Sequence, residues 1–254
     1  MKKTMTQSVQ VMDPAFYMPQ LGRHRRIWLY LPQTYYTSEK RYPVIYMHDG
    51  QNLFDASAAA FGEEWQVDET MDQLGAECII VGIDNGGDNR MKEYNFYDHP
   101  EFGPSEGRQY IDFIADTLKP YIDHHYRTIA SREGTFTAGA SMGGLISFFA
   151  LFHYPHVFSG GGIFSPSLWL VPGLQTELRQ HRGSNRLSLR YFFYAGEKEG
   201  AGMVENLLAL TKLLKKDKLN QIHTTINPEG EHSEPTWGAQ LPQFWAWMET
   251  YLNK

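Results

Sequence analysis

The stretch T-F-T-A-G-A-S-M-G-G-L-I-S-F-F-A, residues 135–150, decides the fold. An apolar, β-prone run from Thr135 to Ala138 leads into Gly139-Ala140-Ser141-Met142-Gly143, which is G-x-S-x-G, and a helical run from Leu145 to Phe152 leads out. Strand, sharp turn and helix in that order are the context of a nucleophile elbow. So tight a turn forces Ser141 into a strained backbone conformation and needs small neighbours, which Gly139, Gly143 and Gly144 supply. The helix that follows points its free N–H groups and positive end at the serine, where an oxyanion would be stabilised. A glycine-rich strand-to-helix connection with an ordinary serine reads the same over these residues alone. The rest of the chain has to decide.

Outward from this stretch, buried strands alternate with helices. Upstream lie a loose edge pattern (Thr6 to Met12), R-R-I-W-L-Y-L (25–31), P-V-I-Y-M (43–47) and a strand from Glu77 to Ile83. Downstream strands are expected at Val157 to Phe164, Leu189 to Ala195 and Gln221 to Ile226. Continuous apolar runs of this length belong in a parallel sheet covered on both sides. Helical patterns span Glu63 to Leu74, with acids near the start and Gly75 at the end, Gln109 to Tyr126, where Pro120 predicts a kink, Met203 to Lys215, and Leu241 to Leu252. The order implies an α/β fold, a mostly parallel doubly wound sheet with helices on both faces, in a single domain over residues 1–254. Ligands bind such sheets at the carboxyl ends of the strands. The segment Asp84 to Gly107, rich in Gly, Asn, Asp and Pro, follows one of those ends and is expected to be an active-site loop.

Composition narrows the function. The chain has 254 residues, 42% hydrophobic and 20% charged, which suffices for a sizeable core. Net charge is −6 and the pI near 5.9, and no basic run is long enough to follow a phosphate backbone, so nucleic acid is not an expected partner. The densest basic cluster, Arg23, Arg25 and Arg26, sits on a strand and reads as a solvated face. The lone Cys78 lies in an apolar run and reads as a buried, inert thiol. The two lysines near the N-terminus precede no apolar segment, and no stretch is long enough for a membrane span, so a cytoplasmic protein without membrane association is expected.

A serine hydroxyl needs a base, and the base needs a third group to orient it. In this architecture the order is serine, acid, histidine. Of the histidines after Ser141, His153 and His156 lie towards the far end of the elbow helix, His181 is in a polar loop and His223 is within a strand. His232 alone follows the last strand directly, and it is the expected base. The acid should follow Leu189 to Ala195, in G-E-K-E-G (196–200), where spacing leaves Glu197 and Glu199 both open. Glu231 and Glu234 are too near His232 in sequence to orient its ring, and Asp217 lies beyond a helix. An oxyanion hole needs two donors. The amide of Met142 is one, and the loop H-D-G-Q-N-L-F-D (48–55) offers the other at Gln51, after a tight turn at Gly50.

With these residues in place, the chain resembles the putative-esterase (esterase D-like) family of α/β-hydrolases, which includes S-formylglutathione hydrolases, feruloyl and acetyl-xylan esterases, siderophore esterases and the antigen 85 mycolyltransferases. The resemblance runs from about Ile27 to Leu252. It is carried by Y-M-H-D-G-Q-N-L-F-D (46–55), W-Q-V-D-E-T (65–70), I-I-V-G-I-D-N-G-G-D-N-R-M-K-E-Y (79–94), G-A-S-M-G-G (139–144), G-E-K-E-G and the His232 loop. It implies the α/β-hydrolase fold, Ser141 as nucleophile, His232 as base, Glu199 rather than Glu197 as acid, and the amides of Gln51 and Met142 as oxyanion donors. Family members more often carry aspartate at the acid position. The implied activity is hydrolysis of a small-molecule carboxylic ester through an acyl-enzyme, with no metal or organic cofactor. An acyltransferase or peptidase on the same triad, or a catalytically silent hydrolase scaffold, are the alternatives.

Substrate contacts are expected from Asn89, Arg90 and Tyr94 in the 84–107 loop. Arg90 either holds a carboxylate or hydroxyl-rich ligand, or braces the loop by pairing with Glu93 or Asp84. Phe54, Trp65, Trp169 and Trp237 follow or flank the same edge and could form an aromatic wall, which suits sugar-linked and aromatic acyl esters alike.

Overall fold

The computed structural model describes residues 4–180 and 187–252, so His181 lies outside the described residues. Eight strands make one sheet: β1 Val9–Met18, β2 Arg23–Tyr30, β3 Val44–His48, β4 Ile79–Ile83, β5 Thr135–Ala140, β6 Gly160–Phe164, β7 Arg190–Gly196 and β8 Gln221–Asn227. Their spatial order is β1-β2-β4-β3-β5-β6-β7-β8. The pairs β1/β2 and β2/β4 are antiparallel and all later pairs are parallel.

Period-two alternation feeds two cores, one on each face. Val44 and Tyr46 join Ile79, Val81 and Ile83 on one side; Ile45 and Met47 join Ile80 on the other. The first face is covered by α3 (Gly107–Phe113), α4 (Lys119–His125), α5 (Met142–His153), α6 (Leu174–Gln180) and α7 (Met203–Leu214). The second is covered by α1 (Val67–Leu74), α8 (Glu234–Gly238) and α9 (Leu241–Leu252). This is the expected doubly wound α/β arrangement, the α/β-hydrolase fold.

Four local features differ from expectation. β1 is longer than the pattern suggested. As an edge strand it absorbs Pro14 through irregularities flanking Asp13, where no ladder hydrogen bond is owed. The disruption expected at Pro120 takes the form of a π-helical turn, Ile114–Leu118, joining α3 to α4 and giving room to a residue with no N–H to donate. The segment after β4 is not all loop: it holds a one-turn helix, α2 (Arg90–Glu93). Finally, Arg25 is buried rather than solvated. It bonds Glu93 of α2 at 2.8 Å, while Arg23 reaches Glu93 and Glu106, and Arg26 reaches Asp84. These arginines of β2 tie the 84–106 segment to the sheet.

Candidate active site

Ser141 stands between β5 and α5 with φ 57 and ψ −121, a backbone conformation a non-glycine residue occupies only when its surroundings hold it there. The holding groups are identifiable. Its N–H donates to Phe164 O at 2.9 Å, and its carbonyl accepts from Leu145 N and Ser167 N at 3.0 and 3.1 Å. Two glycines make room. A Cβ on Gly139 would stand 2.7 Å from the carbonyl carbon of Gly143, and one on Gly144 would stand 2.6 Å from Phe164 O. The helix therefore begins at Met142, earlier than its apolar run suggests, with Gly143 and Gly144 accepted for closeness rather than helix propensity. The Ser141 hydroxyl bonds Ser167 Oγ at 3.2 Å.

His232, on the loop between β8 and α8, places Nδ1 2.7 Å from Glu199 Oε2. The Glu199 side chain is fully buried, whereas Glu197, on the same one-turn helix after β7, is exposed. The carboxylate is held from behind as well: Oε1 accepts from Gly196 N and Ser165 Oγ, both at 2.6 Å. Ser165 in turn accepts from Trp237 Nε1 at 2.9 Å. An indole N–H can only donate, so the proton of the Ser165 hydroxyl must point at Glu199. Ser165, fully buried at φ 44, is a second strained non-glycine residue. The Trp237 ring also meets His232 edge-on, with centroids 4.7 Å apart.

Ser141 and His232 line the same cavity, with a volume of about 530 Å³. Residues 19–248 match the family described as putative esterase. The chain belongs to that family. It is a carboxylic ester hydrolase. Among relatives, the esterase is 29% identical over 215 residues to the uncharacterized protein YbbA of Bacillus subtilis, covering 82% of this chain and 80% of the relative. Among solved structures, it resembles an IroE-like serine hydrolase from Shewanella oneidensis, with a TM-score of 0.75 at 22% identity over 98% of this chain and 79% of the other. It also resembles the enterobactin esterase FES from Shigella flexneri, with a TM-score of 0.77 at 18% identity over 98% of this chain and 61% of that chain.

Two cavities of the esterase meet at Ser141, Arg90 and His232. The first is walled by Trp65 and Trp237, their rings 5.7 Å apart, and edged by Asn52, Glu63 and Glu234. The second, of about 480 Å³, runs past Ser167, Leu168, Trp169 and Met203. Trp169 is 64% exposed. Phe54 belongs to the core and lines neither cavity. Gln51, in the one-turn helix Gly50–Asn52 after β3, lines the first cavity, and its side-chain Oε1 accepts from Asn85 N. Met142 lines the second.

The 84–107 segment supplies less than expected. Tyr94 is completely buried and its hydroxyl oxygen accepts from Asp49 N–H at 3.1 Å; Asn89 lines neither cavity. Arg90 lines both, but its partner is Asp49, not Glu93 or Asp84: Nε and Nη2 reach the two Asp49 oxygens at 2.7 and 2.8 Å. Burial would push the Asp49 carboxyl up, yet the Arg90 charge and hydrogen bonds outweigh it and hold the group below the usual carboxylate range. Burial pushes Glu234 the other way, upward, and Asn52 Nδ2 donates to its Oε1 at 3.0 Å. Under the floor, His48 is locked between Tyr110 and Thr137, and burial lowers it to about 3, so it stays neutral. Cys78 is buried, as expected, and its thiol is pushed up by desolvation.

Ser165, Ser167 and Asn52 carried no signal in the sequence, and Glu234 stood there only as a carboxylate too near His232 to orient it. Ser165-Pro166-Ser167 was legible as the end of a strand and nothing more.

Proposed function

We propose that this esterase cleaves its substrate through an acyl-enzyme on Ser141, with His232 as general base and acid, Glu199 as the orienting carboxylate, and the amides of Gln51 and Met142 receiving the oxyanion. The observation that carries the reading is the strained Ser141 at the N-terminus of α5, opening on the second cavity together with the His232–Glu199 pair.

In the first step the Ser141 hydroxyl leaves Ser167, gives its proton to His232 Nε2 and bonds the ester carbonyl carbon. The carbonyl electron pair moves onto oxygen as an oxyanion. That charge meets N–H groups in the first turns of two helices, where no intrahelical acceptor competes. The positive end of α5 adds to the stabilisation. Collapse of the tetrahedral adduct breaks the bond to the alcohol oxygen, and the imidazolium returns its proton to that oxygen. Water then repeats the sequence on the acyl-enzyme, releasing the acid and restoring Ser141. Throughout, Glu199 faces Nδ1–H, fixing the tautomer that leaves Nε2 free to accept.

The wall of Trp65 and Trp237 offers flat apolar surface to an acyl group, and Asn52, Glu63 and Glu234 offer hydrogen bonds at its margin. That pairing favours sugar-linked or aromatic acyl esters. The second cavity gives the alcohol portion separate room.

The test is labelling with a fluorophosphonate serine probe alongside hydrolysis of short p-nitrophenyl esters. Wild type should label and turn over, and Ser141→Ala should do neither. Turnover surviving in a folded Ser141→Ala protein would refute the mechanism.

A further inference from the structure

The start of α1 gathers three carboxylates that no described cation pairs. Asp68 is fully buried, Glu64 is 6% exposed and Glu69 is half-buried. Each keeps one buried oxygen with no hydrogen-bond partner: Glu64 Oε2, Asp68 Oδ1 and Glu69 Oε2. The ligand atoms of the three side chains all lie within 4.8 Å of one another. Among the described residues, no lysine, arginine or histidine forms an ion pair with any of them. The other oxygens are engaged, Glu64 Oε1 by the Thr4 hydroxyl and Asp68 Oδ2 by Thr6 N–H at 2.6 Å, so the side chains cannot simply turn away to water.

The positive end of α1 accounts for acids in its first turn, Asp68 and Glu69. It does not account for Glu64, which precedes the helix, nor for orphaned oxygens that converge. A buried carboxylate without a partner costs several kcal/mol and is normally paired, protonated or bound to a metal.

We infer that Glu64, Asp68 and Glu69 form a calcium site that clamps the N-terminal segment, through Thr4 and Thr6, onto the start of α1. Oxygen-only donors call for a hard cation. Ca²⁺ takes several carboxylate oxygens in flexible geometry, whereas Mg²⁺ dehydrates reluctantly and is seldom held by a cage of protein carboxylates, so the buried trio suits the larger ion. The site is separate from the acyl-transfer chemistry. Its links to the catalytic cavity are Glu63 and Trp65, which flank Glu64 in the chain.

The experiment is thermal unfolding of the full chain at neutral pH after chelator treatment, in EGTA, CaCl₂ or MgCl₂. At about 1 mM Ca²⁺, a site with Kd of roughly 10–100 µM raises Tm by about 3–10 °C. Asp68→Asn and Glu69→Gln should each lose that rise. In EGTA each should melt no lower than wild type, because each removes a repelling charge. If Asp68→Asn does not fold, the half-buried Glu69→Gln carries the test. No Ca²⁺-dependent shift in wild type, together with no heat in a calorimetric Ca²⁺ titration, overturns the site. So does a rise that survives in both variants. A response to Mg²⁺ equal to that to Ca²⁺ overturns the choice of calcium.

Discussion

Replacing Ser165 by alanine tests whether the Trp237–Ser165–Glu199 chain aims the acid of the proposed triad. Glu199 Oε1 has two donors, Gly196 N and Ser165 Oγ, and the substitution removes the second. A hydrogen bond to a charged group contributes about 1.5–3 kcal/mol. Because Gly196 still holds the same oxygen, the lower half of that range applies to the orientation of Glu199, which corresponds to a fall in kcat of about 10–45-fold. Buried Trp237 Nε1–H loses its acceptor in the same variant, so stability should also drop by about 1–3 kcal/mol. The assay is steady-state hydrolysis of a p-nitrophenyl ester by wild type, Ser165→Ala, Glu199→Ala and the double variant, with urea unfolding alongside. A positioning residue acting through Glu199 gives a loss in kcat with little change in KM, and no further loss once Glu199 is gone. An equal loss of kcat in both backgrounds, or an effect confined to KM, would refute the relay.

Other expectations follow from the same contacts. Glu199→Gln should lower kcat at least about 100-fold by weakening its hold on the imidazolium, whereas Glu197→Gln, at an exposed position, should stay within a factor of about two; the reverse order in the same ester assay would reassign the acid. Gly144→Ala drives a Cβ to 2.6 Å from Phe164 O, the carbonyl that holds Ser141 N, so urea unfolding should report a loss of about 2–4 kcal/mol together with lost turnover. His48 is lowered by burial from 6.5 to about 3, so the unfolded chain takes up a proton below 6.5 that the fold refuses. Its contribution is intact above pH 6.5 and is lost as pH falls, by about 2 kcal/mol between pH 6.5 and 5. His48→Gln should flatten that slope in urea midpoints, and an unchanged slope would remove His48 as its source.

The parallel strands β3, β4 and β7 could be read because each is a short, nearly continuous apolar run. The elbow shows in G-x-S-x-G and its neighbours, and the polar clusters after the other strands separate it from an ordinary glycine-rich turn. What stayed hidden depends on residues distant in sequence. Ser165 acquires its role from Trp237, 72 positions later, and from Glu199, 34 positions later. Nothing in S-P-S signals that a non-glycine residue will be held at φ 44. Arg25 was read as solvated because its partner, Glu93, lies on a helix 68 residues along the chain. The sequence offers Arg90 either a ligand or the nearby Glu93 and Asp84, but the fold brings Asp49 to it instead. The acids opening α1 had a sufficient local explanation in the helix dipole; only the fold sets Glu64 against them.

The two cavities should therefore respond differently to redesign. Trp237 is at once a wall of the first cavity, the edge against which His232 rests, and the donor that fixes the Ser165 hydroxyl. Trp65 leans on it and meets Phe164 edge-on at 5.2 Å, and the Phe164 carbonyl holds Ser141 N. The wall of that cavity and the alignment of the proposed catalytic groups are one packed unit, so enlarging the cavity at Trp237 disturbs both. Trp169 is mostly exposed beside the second cavity and is tied to none of these groups by a described ring contact or side-chain hydrogen bond. Trp237→Ala should thus lower kcat by more than about tenfold for every ester tried, since it loosens His232 and Ser165 together. Trp169→Ala should leave kcat within about twofold and change KM according to the alcohol portion of the ester. Loss of kcat in Trp169→Ala as large as that in Trp237→Ala, with both proteins folded by circular dichroism, would show that the second cavity is not independent of the catalytic alignment.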